Sequence, residues 1–144
     1  MSRSALHNEQ VADLVHGAAI RLLRWVRKED AASGITGAQL SVLSVLAFVG
    51  PQTLGALAQA EQVKPPTMSQ LVSGLERLGL VTRKPLDRRS VEVSVTRKGI
   101  RLMEAGRKRR LARLARAIGT LPPEQIDRLA QAAGLIVAIT DLSI

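Results

Sequence analysis

The chain has 144 residues, 46% of them apolar, a net charge of +9 and no cysteine, which excludes disulfides, thiolate metal sites and thiol redox sensing. A domain of this length buries roughly two-thirds of its unfolded surface. Trp25 and Phe48 are the only aromatic residues, so the core must be built from Leu, Val, Ile and Ala, which favours packed helices. The N-terminal MSRSALHNEQ lacks an apolar h-region and no apolar run approaches the ~18 residues of a membrane span, so a cytoplasmic protein is expected.

Taken in order, residues from about Leu6 to Lys28 place Val11, Leu14, Val15, Ala18, Leu22, Trp25 and Val26 at helical spacing. Glu29 to Gly34 closes this helix, with Gly34 as its C-cap. A second helix runs from its cap Thr36 to about Val49 and stops at Gly50-Pro51. Its sequence GAQLSVLSVLAFV is nearly all apolar and is expected to be deeply buried. Thr53 caps a short helix with Leu54, Leu57 and Ala58 facing inward. After the turn AEQVK, Pro65-Pro66 open a helix in which Met68, Leu71, Val72, Leu75 and Leu78 form one stripe. Thr67, Ser69, Gln70, Ser73 and Arg77 point elsewhere, and these groups suit close approach to another surface. Gly79 ends the helix.

Leu80 to Pro85 and Val91 to Val95 read as two strands, the second alternating as VEVSV. They flank the tip DRRS, which has no glycine to set the turn type. Thr96 caps a long helix to about Ile118, with Ile100, Met103, Leu111, Leu114 and Ile118 on one side and the RKRR run from Arg107 over much of the rest. Leu121-Pro122-Pro123-Glu124 turns a corner into a last helix. There Ile126, Leu129, Ala130, Ala133, Ile136, Val137 and Thr140 mark one face and Leu135, Ile139 and Leu142 a second. That is too much apolar surface for a terminal helix resting on one partner. With the equally apolar first helix, it predicts that both ends of the chain pack against another subunit.

The charge is unevenly placed. From Arg83 to Arg116 there are 13 of the 21 basic residues and three acids (Asp87, Glu92, Glu104), a net +10, while the other 110 residues sum to −1. Such asymmetry points to a polyanionic partner, against a merely solvated basic helix face. Leu57, Ala58, Val63, Met68 and Leu71 occupy the inward positions of two steeply crossing helices, a helix-turn-helix. Strands directly after the second helix, with Arg88 and Arg89 at their tip, form a wing that suits a minor groove, where narrow walls concentrate negative potential. Asp87 is expected in a salt bridge with Arg89 or Arg83. The fold class is mainly α with a small β-hairpin wing.

On these residues the chain resembles the MarR family of bacterial transcription regulators over essentially its whole length. LVTRKPLDRRSVEVSVTRKG (Leu80 to Gly99) is similar to the family's wing signature, with Asp87 and Arg89 at its D-x-R element and Thr96 and Gly99 at its T-x-x-G. PPTMSQLVSGLERLGLV is similar to its recognition helix. The resemblance implies one MarR-like domain, 1–144, acting as a homodimer on a roughly palindromic operator of double-stranded DNA. Residues 1–34 and 100–144 would supply the dimerisation helices and 36–99 the winged helix-turn-helix. It also implies a small, often aromatic or anionic effector that weakens DNA binding. The chain departs from the family pattern at Lys64 and Pro66, where small polar residues are usual. It departs again at Gln62, a turn position often held by glycine where positive φ is expected, and at Gln70, which replaces a frequent arginine. Gln70 could pair bidentately with adenine, where arginine would favour guanine.

The candidate DNA surface therefore comprises Thr67, Ser69, Gln70 and Ser73 at base edges and Lys64, Arg77, Arg83 and Lys84 at phosphates. Arg88 or Arg89 enters the minor groove, and Pro65, Asp87 and Ser90 complete the surface. His7 and His16 lie far from any acid cluster, so no metal site and no cofactor is expected. His16 is a candidate lining residue for an effector, against the plainer reading of an interface histidine. Two other functions compete: a non-specific architectural DNA- or RNA-binding protein on the same basic surface, and an enzyme. The second lacks a nucleophile–base pair, metal spacing and a phosphate loop.

Overall fold

Helix ends fall where the sequence supplies caps. In the computed structural model, which describes residues 3–142, α1 (Arg3–Arg27) passes into a 3-10 turn (Lys28–Ser33) closed by Gly34 at φ +75°. Thr36 caps α2 (Gly37–Phe48) reciprocally: its hydroxyl accepts the Gln39 amide at 3.1 Å, and the Gln39 side chain accepts the Thr36 amide at 3.0 Å. A two-residue strand, β1 (Gln52–Thr53), leads into α3 (Leu54–Ala60), whose cap Thr53 accepts the Ala56 amide at 3.1 Å. Then come α4 (Pro65–Arg77), β2 (Val81–Pro85), β3 (Val91–Val95), α5 (Arg97–Ile118) and α6 (Pro123–Thr140). Prolines fill the first two positions of α4, where the missing amide hydrogens have no helical partner. The helix closes with Gly79 at φ +72°, donating to the Glu76 carbonyl at 2.9 Å, while Leu80 donates to Leu75 at 3.0 Å.

β1 is absent from the sequence reading. It pairs antiparallel with β3, placing Gln52 opposite Val93 in a sheet of order β1-β3-β2. Two residues carry no alternation, and the capping role of Thr53 masks its second role in the sheet.

The core lies between α2, α3, α4 and this sheet. Val42, Leu43, Leu46, Leu57, Ala58, Met68, Val72, Leu75, Leu80, Val81 and Val93 are buried, and Leu102 and Met103 of α5 pack against them. Three expectations need correction. The C-terminal end of α2 is outside the core, with Phe48 83% exposed. Leu78 is exposed because α4 has already ended at Arg77, and Leu80, past the turn, is buried instead. On α5 it is Leu102 that packs inward with Met103, while Ile100 is exposed.

The start of α5 is bonded to the end of α4 through three successive carbonyls. Lys98 Nζ donates to Leu78 O at 2.7 Å, the Thr96 hydroxyl donates to Gly79 O at 2.7 Å, and the Thr96 amide donates to Leu80 O at 3.0 Å. The same hydroxyl accepts the Gly99 amide at 3.1 Å, which caps α5. Gly99 is buried, and a Cβ there would collide with the Leu80 carbonyl and Val95 Cγ2. Backbone cannot swing aside, so Gly99→Ala is expected to cost about 2 kcal/mol or more in urea unfolding. Gly55→Ala, on an open face of α3, is expected to be neutral or to stabilise by up to ~1 kcal/mol.

Backbone packing divides the chain into two compact units, residues 1–109 and 110–144. In the first, α1 leaves Leu6, Val11, Leu14, Val15, Ile20, Leu22 and Leu23 exposed, Leu14 to 71%. In the second, α6 has no buried residue, and Leu129, Leu135, Ile136, Val137 and Ile139 are all exposed. Among the described residues no single helix is long and apolar enough to cross a membrane.

Candidate nucleic-acid interface

The turn between α3 and α4 puts Gln62 at φ +54°, the one non-glycine residue with positive φ among those described. That conformation costs a side-chain-bearing residue about 1–2 kcal/mol, and its neighbours hold it. The Val63 amide donates to Ala58 O at 3.0 Å, and the Glu61 carboxylate accepts the Ser41 hydroxyl of α2 at 2.9 Å. The expected strain at this position is realised.

Beyond the turn, α4 buries Met68, Val72, Gly74 and Leu75 and turns its opposite edge outward. Pro66, Ser69, Gln70, Ser73 and Arg77 line one open depression on that edge. Of the expected base-reading residues, Ser69, Gln70 and Ser73 are thus brought together, and Thr67 stands exposed on the first turn beside them. Lys64 is the N-cap and makes no side-chain capping bond; it is exposed, as are Pro65 and Pro66. Pro65 and Pro66 offer no amide hydrogens at this helix start, so an anionic group there would be met by the Lys64 ammonium and the helix dipole.

The hairpin pairs Val81 with Val95 through Pro85 with Val91, so Leu86 to Ser90 form its tip. Leu86 donates its amide to Ser90 O at 3.0 Å. In place of the expected salt bridge with Arg89 or Arg83, Asp87 Oδ1 accepts the backbone amides of Arg89 at 2.7 Å and Ser90 at 2.8 Å. The aspartate side chain mimics a backbone turn and closes a tip in which no residue has positive φ, so no glycine is required. These bonds, that to the Arg89 amide first, then the Ser90 hydroxyl and amide, hold the Asp87 carboxyl below the usual carboxylate range. Because the folded value is lowered, this contribution is present above the ordinary aspartate range and is lost as pH falls through the lowered value. Arg88 and Arg89 are exposed and Lys84 is exposed on β2, opposite Glu92 in the ladder.

Arg83 is the residue whose placement differs most from the sequence reading. Its Nη2 donates to Ser69 O at 2.9 Å and to the Ser73 hydroxyl at 2.6 Å, and its Nε lies 3.8 Å from Glu76 Oε1. A signal was available: strand alternation puts Arg83 on the face of buried Val81, toward α4. His16 is exposed on α1, and no group of three possible metal ligands occurs among the described residues. In the basic run, Arg107, Lys108 and Arg116 are exposed and Arg109, Arg110 and Arg113 half-buried.

Residues 33–90 match the model of the MarR family. An HTH-type transcriptional regulator of Mycobacterium tuberculosis is 40% identical over 128 residues, 88% of this chain and 90% of that protein. A second, from Mycobacterium leprae, is 39% identical over the same shares. The crystal structure of transcriptional regulator Tm0710 from Thermotoga maritima superposes with a TM-score of 0.80 at 26% identity, covering 92% of this chain and 95% of that one. A mutant of MepR from Staphylococcus aureus, solved bound to an oligodeoxyribonucleotide, shares the fold with a TM-score of 0.69 at 21% identity, covering 91% and 98%. NadR, solved in complex with 4-hydroxyphenylacetate, does so at 0.60 and 23% identity, covering 92% and 94%.

Proposed function

The chain belongs to the MarR family and is a DNA-binding transcriptional regulator, and from that premise we propose that it is a homodimeric repressor of a palindromic operator, released by a small ligand. The observation that carries the reading is the outward edge of α4, where Ser69, Gln70, Ser73 and Arg77 share one open depression on the same lobe as the arginine-bearing wing. Thr67, Ser69, Gln70 and Ser73 face base edges; Lys64, Arg77 and Lys84 hold phosphates; Arg88 or Arg89 enters the minor groove. MepR's oligonucleotide complex supports this use of the fold. The dimer reading rests on the exposed apolar faces of α1 and α6, with 1–34 and 100–144 as dimerisation segments around the 36–99 reader. NadR's complex with 4-hydroxyphenylacetate supports an aromatic or anionic effector, for which His16 is the candidate contact on α1.

Selection of bound sequences from random duplexes tests the reading. A palindromic consensus bound at least ~1,000-fold above scrambled DNA at fixed salt is expected. Affinity that tracks salt and ignores sequence would favour a non-specific architectural protein. On the selected duplex, Gln70→Ala is expected to relax preference at one base pair by about 1–3 kcal/mol, read by competition with single-site variants. A fusion of that sequence to a reporter promoter, with a compound screen for release, tests repression and the effector.

A further inference from the structure

The geometry points to Arg83 as a positioning residue that locks the wing to α4 and sets the direction of the Ser73 hydroxyl, and not as a contact to phosphate; this rests on the reading of α4 as the base-reading helix.

Three observations converge. Arg83 stands mid-ladder on β2, opposite Val93, which is fully buried, so its backbone is held by the sheet. Its side chain, only 24% exposed, crosses to α4 and spends Nη2 on the Ser69 carbonyl and the Ser73 hydroxyl, one turn apart, with Glu76 beside Nε on the next turn. From one anchor the guanidinium gives two hydrogen bonds through Nη2 and sets its charge beside a carboxylate, while Nε itself makes no hydrogen bond. Ser69 and Ser73 are also two of the residues around the open depression.

The consequence for Ser73 is chemical. A free serine hydroxyl both donates and accepts, rotating to suit its partner. With a charged N–H on its oxygen at 2.6 Å, the hydroxyl has one lone-pair direction occupied and its hydrogen is directed away from Arg83. Ser73 thereby becomes a directed donor, suited to an acceptor such as purine N7 or thymine O4. The positive charge of Arg83, set against Glu76, adds little to the field that phosphates meet.

The test measures affinity for the selected duplex and its single-base variants against salt for Arg83→Gln, Arg83→Lys, Ser73→Ala and the Arg83→Gln/Ser73→Ala pair, with melting temperatures alongside. Expected are a roughly tenfold loss with Arg83→Gln, the salt slope unchanged, and lost preference at the base pair whose preference Ser73→Ala also abolishes. The double variant should fall no further than the worse single one, and Arg83→Lys should not rescue, because the lysine stem ends one bond short of Nη2, which makes both bonds. A slope reduced by about 0.9, with base preference intact and rescue by lysine, would overturn the proposal in favour of a phosphate contact. A lowered melting temperature with unaltered base preference would overturn it in favour of a merely structural role. If Gln70→Ala and Ser73→Ala both leave discrimination unchanged, the reading of α4 fails and the proposal falls with it. If Gln70→Ala changes discrimination and Arg83→Gln does not, only the positioning role is lost.

Discussion

Arg89→Ala is expected to weaken binding to the selected duplex by roughly ten- to a hundredfold, about 1–3 kcal/mol, without changing the size of the protein in solution. The side chain stands at an exposed tip whose backbone is tied down: its own amide donates to Asp87 at 2.7 Å. An anchored root removes the backbone's share of the ordering cost, so only the side-chain rotamers remain to be fixed when the guanidinium enters a narrow minor groove. Asp87→Ala is expected to reproduce part of the loss by loosening the tip while leaving the arginine in place. Mobility-shift titration with parallel sizing measures both effects. Wild-type affinity in Arg89→Ala would remove the wing from the interface.

The second large effect is expected from Leu14→Glu and Leu135→Glu. Leu14 is 71% and Leu135 66% exposed on a single chain, and a charge on such a surface would ordinarily shift stability by no more than ~0.5 kcal/mol. If these faces meet a second copy, each substitution buries an unpaired carboxylate in the contact and separates the subunits. Sizing should then report one chain of 15.5 kDa in place of two. Affinity for a duplex with both half-sites should drop more than a hundredfold, because linkage supplies the second contact at an effective concentration on the order of millimolar. Affinity for an isolated half-site should not change. A variant that keeps twice the chain mass and full affinity would show that α1 and α6 are not the contact.

Much of the fold was legible because its signals are local. The capping bonds of Thr36, Thr53 and Thr96 and the turns at Gly34 and Gly79 lie within a turn of their own positions, and a reader needs no partner segment to place them. The outward edge of α4 was legible for the same reason, since helical period separates Met68, Val72 and Leu75 from Ser69, Gln70 and Ser73. What escaped depends on other segments. Arg83 bonds to residues 10 and 14 positions away, and a count of positive charges carries no sign of those bonds. Alternation along β2 places it on the face of buried Val81, toward α4. β1 exists only because β3 lies beside it. At Asp87 the surrounding basic charge predicts an ion pair, and the structure supplies instead the backbone amides two and three residues on.

The three carbonyls of Leu78, Gly79 and Leu80, gripped by Thr96 and Lys98, have a mechanical consequence. A hinge at this point would have to break all three bonds together and move the Gly99 backbone off Leu80, so α4 follows the first turns of α5 as a key follows its bow. The 13 residues of α4 span roughly 20 Å, and a tilt of about 10° at the joint carries the far end of the helix through about 3 Å. That is a full hydrogen-bond length. A rotation of the first turns of α5 is therefore passed directly to the outward edge of α4, with no hinge at the joint to absorb it.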